Sequence, residues 1–256
     1  MRKIIDCHVH LDKYLDEEIH TMMETLDEVE TLISVSYDLE SCKRNSYLSR
    51  IYPHVKSAFG FHPEQAIGSD EEMADLFQWV YSHFDEMIAV GEVGLPFYLR
   101  TSTSWNSTMG PYLELLEEWI KLASKKNLPI SLHAIYDDVP TVCSMLERYN
   151  IEQAHFHWFK GTDKDMNRII QNGHFISLTP DLIYEKDIQH IAKGFPLSQI
   201  MVETDGPWLF EGPFSGRLTH PNMIHQTIRQ LSDLKAISVE KTYETLYVNT
   251  KHFFRL

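Results

Sequence analysis

Two rhythms of apolar residues alternate along the chain. Short apolar runs, several of them rich in β-branched residues, recur at 3–9 (KIIDCHV), 31–37 (TLISVSY), 54–61 (HVKSAFGF), 87–93 (MIAVGEV), 128–134 (LPISLHA), 153–158 (QAHFHW), 174–179 (HFISLT) and 199–205 (QIMVETD). Such runs are what strands buried on both faces require. The segments between them carry apolar residues at helical spacing, most clearly over 110–126, where Tyr112, Leu113, Leu116, Trp119, Ile120 and Ala123 keep an i, i+3, i+4 rhythm. Ser69-Asp70-Glu71-Glu72 has the form of a capping box opening a helix that carries Leu76, Val80 and Phe84. Further helical patterns occupy about 220–234 and 238–254, and a faint one spans 181–194. Eight strands alternating with helices predict a (β/α)8 TIM barrel, read as a single domain over residues 1–256.

Composition is consistent with that architecture. The 256 residues are 43% hydrophobic, with no low-complexity stretch or Pro/Gly-rich linker to divide them. No run approaches the length that crosses a membrane, and the N-terminus lacks the apolar stretch of a signal peptide. Cys7, Cys42 and Cys143 are few, odd in number and scattered, as expected of reduced thiols in a cytoplasmic protein. Cys7 is expected to be a buried thiol, with His8 and His10 facing the other way along the strand. A formal net charge of −14 argues against nonspecific adhesion to nucleic acid or anionic membrane, though not against a locally basic site. Lys13, Arg100, Lys160 and Arg217 all lie just past strand-like runs, where barrel loops would carry them to the mouth.

The chemistry lies at the ends of the strands. His8 and His10 close the first run, Glu92 the fourth and His133 the fifth; His157 sits in the sixth and Asp205 closes the eighth. A parallel barrel gathers these carboxyl ends in one mouth, so residues far apart in sequence meet there. Four imidazoles and two carboxylates suit divalent cations such as zinc, manganese, magnesium or cobalt, and the set points to a two-metal hydrolase. Each residue also has an ordinary reading: a chance His-x-His pair, a salt-bridged Glu92, core histidines at 133 and 157, a turn aspartate at 205. Those readings do not account for all six falling at strand ends. His155 shares the face of His157 one rung deeper and is assigned to the interior.

The motifs, in order, resemble those of the TatD-related metal-dependent hydrolases within the wider amidohydrolase-like barrels, over nearly the full chain. Asp6-Cys7-His8-Val9-His10-Leu11-Asp12 is similar to the opening D-x-H-x-H-L-D, Gly60-Phe61-His62-Pro63 to G-x-H-P, and Gly91-Glu92-Val93-Gly94-Leu95 to G-E-x-G-L. The stretch from Leu128-Pro129 to His133, His157-Trp158-Phe159-Lys160-Gly161 and Glu203-Thr204-Asp205-Gly206-Pro207-Trp208-Leu209 continue the series, which closes with Asn249 and Phe253-Phe254. The resemblance implies that His8, His10 and Asp205 hold one metal and His133 and His157 the other, with Glu92 bridging. It implies His62 as a contact to substrate phosphate; Lys160 and Trp208, in the loops just past their strands, are further candidate substrate contacts. The implied activity is metal-dependent deoxyribonuclease action, often 3′ to 5′ exonucleolytic, with Asp205 orienting a water and accepting its proton. Phe97, Tyr98, Trp105, Trp158 and Trp208 lie in mouth loops, able to stack terminal bases of single-stranded DNA or, for Trp105 above all, to pack a lid. Three positions depart from the family pattern: Pro96 stands for its usual Asp, Trp119 for a Gln and Ile135 for an Arg. These are substrate-side or supporting positions, so hydrolysis of a small carboxyl compound (a lactone, an amide or an N-acyl group) stays open beside phosphodiester cleavage. A metal-binding scaffold without turnover is a third reading, disfavoured by the presence of Asp205.

Overall fold

A computed structural model describes residues 3–103 and 105–256. Eight parallel strands run in sequence order through one sheet, β1 to β8. They are β1 (Ile4–Val9), β2 (Val29–Val35), β3 (Val55–Phe59), β4 (Met87–Gly94), β5 (Ile130–His133), β6 (Ala154–Phe156), β7 (Phe175–Leu178) and β8 (Ile200–Val202). Beyond the last strand the chain returns to the first: the Asp205 amide donates to the His8 carbonyl at 2.9 Å and the His10 amide to the Gly206 carbonyl at 2.8 Å. The expected (β/α)8 barrel is what forms. All eight predicted runs become strands, although several stop short, so that His10, His62, His157 and Asp205 stand in the loops just past them.

The predicted helices form for the stated reasons. Met109–Lys126 buries Tyr112, Leu116, Trp119, Ile120, Leu122 and Ala123, and ends at Asn127 in the left-handed conformation that commonly stops helices. Asp70–Ser82 opens with the predicted box, in which the Ser69 amide donates to Glu72 at 2.7 Å and the Glu72 amide to Ser69 Oγ at 3.3 Å. The faint pattern over 181–194 resolves into a 3-10 turn, Pro180–Ile183, and a helix, Lys186–Gly194. A five-residue helix, Phe97–Thr101, has no counterpart in the sequence reading. Among the described residues no helix is long and apolar enough to cross a membrane.

Two irregularities aim the site. In β1 the register against β2 slips between Asp6 and Val9, and in β4 the register against β5 slips between Val90 and Val93. Such slips re-aim side chains at barrel rims. Cys7 packs in the barrel interior with Ile5, Ile33, Val35, Ala58 and Ala89, yet the adjacent His8 also points inward, to Glu92. The expectation that His8 would face away from Cys7 is therefore corrected: strict alternation does not survive the slip. Gly94 lets β4 close on β5 at this point, since a Cβ there would lie 1.9 Å from the His133 carbonyl oxygen.

Candidate metal centre

Glu92 is the centre of the site. It has no exposed surface, and five imidazoles converge on it. Its Oε2 faces His8 Nε2 and His10 Nε2, each at 3.1 Å. Its Oε1 faces His157 Nε2 at 2.6 Å, His133 Nδ1 at 2.9 Å and His62 Nε2 at 3.3 Å. Asp205 joins the Oε2 side, with Oδ1 3.4 Å from His8 Nε2 and 3.7 Å from His10 Nε2. The structure thus brings together all six predicted ligands, and His62 with them.

A hydrogen-bond chain sets the protons on His8. The Ser177 hydroxyl donates to Glu203 Oε2 at 2.6 Å and stands 2.7 Å from His155 Nε2. Ser131 Oγ lies 3.1 Å from His155 Nδ1 and 3.2 Å from His8 Nδ1. Burial, with the charge of His157 second for each, holds both His155 and His8 well below the usual imidazole pKa, so both are neutral. Because the Ser177 hydroxyl donates to Glu203, the protons run one way. Ser177 gives its only proton to the carboxylate and accepts His155 Nε2–H; Ser131 donates to His155 Nδ1 and accepts His8 Nδ1–H. His8 Nε2 is left as a bare lone pair aimed at a carboxylate oxygen 3.1 Å away. Two acceptors facing each other at that distance are a donor set for a cation. The residues fit divalent metal.

The charges around Glu92 are strongly coupled. Burial would raise its pKa, but the charge of His157, foremost among the imidazoles around it, outweighs burial and holds it well below the usual carboxylate range. Burial also opposes the charge on His157, yet Glu92 and Glu203 win and its pKa lies well above normal. At Asp205 burial prevails over His157 and His10 and pushes the carboxyl up to about 7. His62 differs from its neighbours. Its Nδ1 accepts the Glu64 amide at 3.1 Å, so in the neutral ring the proton sits on Nε2, facing the site as a donor rather than a ligand.

The sequence reading missed several supports. Glu64 Oε1 lies 3.0 Å from His133 Nε2, which turns Nδ1 toward Glu92, and the same carboxylate accepts the amides of Tyr98 and Leu99 at the start of the Phe97–Thr101 helix. Its only signal was its place two residues after His62. Glu203, which lies 3.6 Å from His157 Nδ1, stood in the same motif as Asp205 but was given no role there. Asp6 accepts the Thr204 amide at 3.0 Å and the His8 amide at 3.3 Å, tying together the segments that carry His8 and Asp205. Tyr37 stacks on His62 with centroids 4.9 Å apart.

Above this floor opens a cavity of about 840 Å³, walled by Lys13, Tyr37, Tyr98, Ile135, Trp158, Lys160, Pro207, Trp208 and Leu209. Of the expected loop cations Lys13 and Lys160 line it. Arg100 is instead paired with buried Asp138, and Arg217 is exposed elsewhere. Trp105 packs on Tyr112 with centroids 5.5 Å apart, and Phe97 lies tilted against Tyr136 at 4.9 Å. Trp119 fills the core against Phe77 at 4.4 Å, whereas Ile135 lines the mouth.

A sequence model described as "TatD related DNase" matches residues 5–255. The chain belongs to the TatD related DNase family. It is 36% identical over 254 residues to an uncharacterized metal-dependent hydrolase of Haemophilus influenzae, covering 99% of this chain and 100% of that one. It is 27% identical over 264 residues to the deoxyribonuclease TATDN3 of Homo sapiens, covering 98% and 94%. The crystal structure of YJJV, a TatD homolog from Escherichia coli K12, superposes with a TM-score of 0.87 over the full length of both chains at 22% identity, a likeness of fold. Like its TatD relatives, the protein is a metal-dependent hydrolase, and the clusters around Glu92 are its candidate metal-binding residues.

Proposed function

We propose that the protein is a two-metal phosphodiesterase acting on the 3′ ends of DNA, with single strands preferred. The observation that carries this reading is the division of Glu92: one oxygen faces His8 and His10, the other His133 and His157. His8, His10 and Asp205 would hold one ion, His133 and His157 the other, with Glu92 between. Bound divalent cations acidify water and neutralise charge gathering on the ester, which is the chemistry they would supply here. Asp205 orients the water and takes its proton, a role suited to a carboxylate that stands 3.4 Å from His8 at the edge of the cluster. His62 donates from Nε2 to a non-bridging phosphate oxygen, and Lys160 and Trp208 meet the substrate at the rim. DNA as substrate is supported by the relative named as a deoxyribonuclease.

One observation favours a second reading, hydrolysis of a small carboxyl compound. The mouth is largely apolar, with Lys13 and Lys160 the lysine or arginine side chains lining it, and Ile135 brings no charge. The test is a screen of metal-reconstituted protein against a 3′-hydroxyl single-stranded oligonucleotide, a lactone and an N-acyl panel. Chelator-sensitive release of mononucleotides, weakening steeply with salt, is the expected result. Inactivity on every phosphodiester with turnover of a carboxyl substrate would sink the first reading. Elemental analysis should approach two ions per chain. Each of the double variants His8→Ala/His10→Ala and His133→Ala/His157→Ala should lose about one.

A further inference from the structure

Trp158 is held more firmly than a loop aromatic needs to be. It follows His157 in the turn after β6 with a φ of 36°, a left-handed conformation that bulky residues avoid. Its amide donates to Glu203 Oε1 at 2.8 Å, and its indole N–H donates to Asp181 Oδ2 at 2.7 Å. Asp181 is 4% exposed and receives the Thr179 hydroxyl on its other oxygen. A buried carboxylate aimed at one indole N–H fixes the plane of the ring. Trp208 stands edge-on to that ring at 5.5 Å, and Tyr98, Ile135 and Leu209 extend the wall around the mouth. Trp208 and Leu209 are 59% and 63% exposed, a large apolar surface left uncovered beside a polar floor.

Behind the wall lies a second cavity of about 530 Å³, which shares Trp158, Lys160, Trp208 and Leu209 with the mouth. Asp181, Glu185, Asp187 and Glu211 line it against Lys160 and His190. A nucleic acid strand continuing past the wall would bring its next phosphate against those carboxylates. We propose that the wall built on Trp158 is a preformed subsite for a flat, uncharged ring that ends the substrate, and that Asp181 is its positioning residue. The ring is a nucleobase or an aryl group; the wall recognises what they share, a π-face without charge. The inference refines the hydrolase reading above, since the ring is attached to the group held over Glu92.

Calorimetric titration of metal-reconstituted protein tests it without turnover. Phenylphosphonate and methylphosphonate share a head group and differ by the ring, so the phenyl compound should bind roughly tenfold more tightly, within the range of base–aromatic stacking. Trp158→Ala should bring the ratio near one. Asp181→Ala should reduce it several-fold, and Asp181→Asn should restore it, because the amide oxygen still accepts the indole proton. In a Trp158→Phe background, where no indole N–H exists, Asp181→Ala should have no further effect on the ratio; an equal effect there would show that Asp181 does not act through Trp158. That pair also decides the matter should Trp158→Ala fail to fold. Benzoate against acetate repeats the comparison on a carboxyl head group. A ring preference seen only there supports the subsite and removes the phosphodiester reading; no ring preference with either head group overturns the subsite. Thymidine 3′-phosphate against 1,2-dideoxyribose 3-phosphate, the same compound without its base, then identifies the ring: a preference in this arm indicates a nucleobase, and one confined to the aryl arms an aryl ester.

Discussion

Replacing Ser131 by alanine should loosen metal binding from outside the ligand set. The hydroxyl joins His155 Nδ1 at 3.1 Å to His8 Nδ1 at 3.2 Å, and all three side chains are buried. Ser131→Ala adds no bulk, but it leaves a buried imidazole N–H on His8 and a buried lone pair on His155. An unpaired buried polar group costs about 1–3 kcal/mol, so stability should fall by about 2 kcal/mol once some relaxation is allowed. The larger effect is on His8. Without an acceptor at Nδ1, its proton is free to move to Nε2, the atom facing Glu92, and in that tautomer the ring cannot ligate. Orienting partners of metal-bound histidines are typically worth about 10–100-fold in affinity. Competition with chromophoric chelators of graded strength should show a loss of that size, and urea unfolding of chelated protein the loss of stability. Ser177→Ala, one link further away, should cost less metal affinity, since Ser131 still accepts from His8. Wild-type affinity in Ser131→Ala would refute the proton assignment, and equal losses in the two variants would refute its direction.

Asp205→Asn keeps an oxygen but cannot accept a proton in the working range, so kcat should fall by about 10²–10⁴ with most of the metal retained; a near-wild-type rate in the fully loaded variant moves proton acceptance elsewhere. Glu92→Gln should instead lower metal content in elemental analysis, because a neutral amide holds two cations poorly. Burial pushes the His174 pKa down to about 4 from 6.5, so the unfolded chain binds more protons between those values. Stability should therefore fall as pH drops from about 6.5 to about 4, by up to about 3 kcal/mol for this group, and His174→Gln should flatten that part of the urea stability profile. Trp119→Ala, emptying a wholly buried site against Phe77, should cost about 3–5 kcal/mol in the same unfolding assay.

How much of this was legible in the sequence depends on how local each cause is. Strands buried on both faces announce themselves as short apolar runs, and the Tyr112–Ala123 rhythm marks a helix because the helix buries that stripe. The Phe97–Thr101 helix leaves no such mark. Five residues carry no period, and its first amides are satisfied by Glu64, a residue thirty-four positions away from Tyr98. The facing of His8 was misread for a related reason. Alternation holds only while the ladder is regular, and the slip between Asp6 and Val9 is a relation between two strands that neither run shows alone.

The candidate ligands were readable because titratable side chains at strand ends are rare among apolar neighbours. Their supports obey a different rule. Ser131, His155, Ser177 and Glu203 come from or just beyond four successive strands, β5 to β8, and each looks like an ordinary core polar residue until the sheet sets them side by side. Asp181 is further removed still, since it acts on Trp158 and not on the floor of the site. The same hydrogen-bond set reaches both parts of the mouth: Ser177 Oγ accepts the Trp158 amide at 3.2 Å while donating to Glu203, which in turn takes the same amide. The carboxylate that begins the proton order at His8 thus also anchors the aromatic wall. A change at Glu203 should therefore disturb metal binding and ring preference together, whereas a change at Asp181 should disturb ring preference alone.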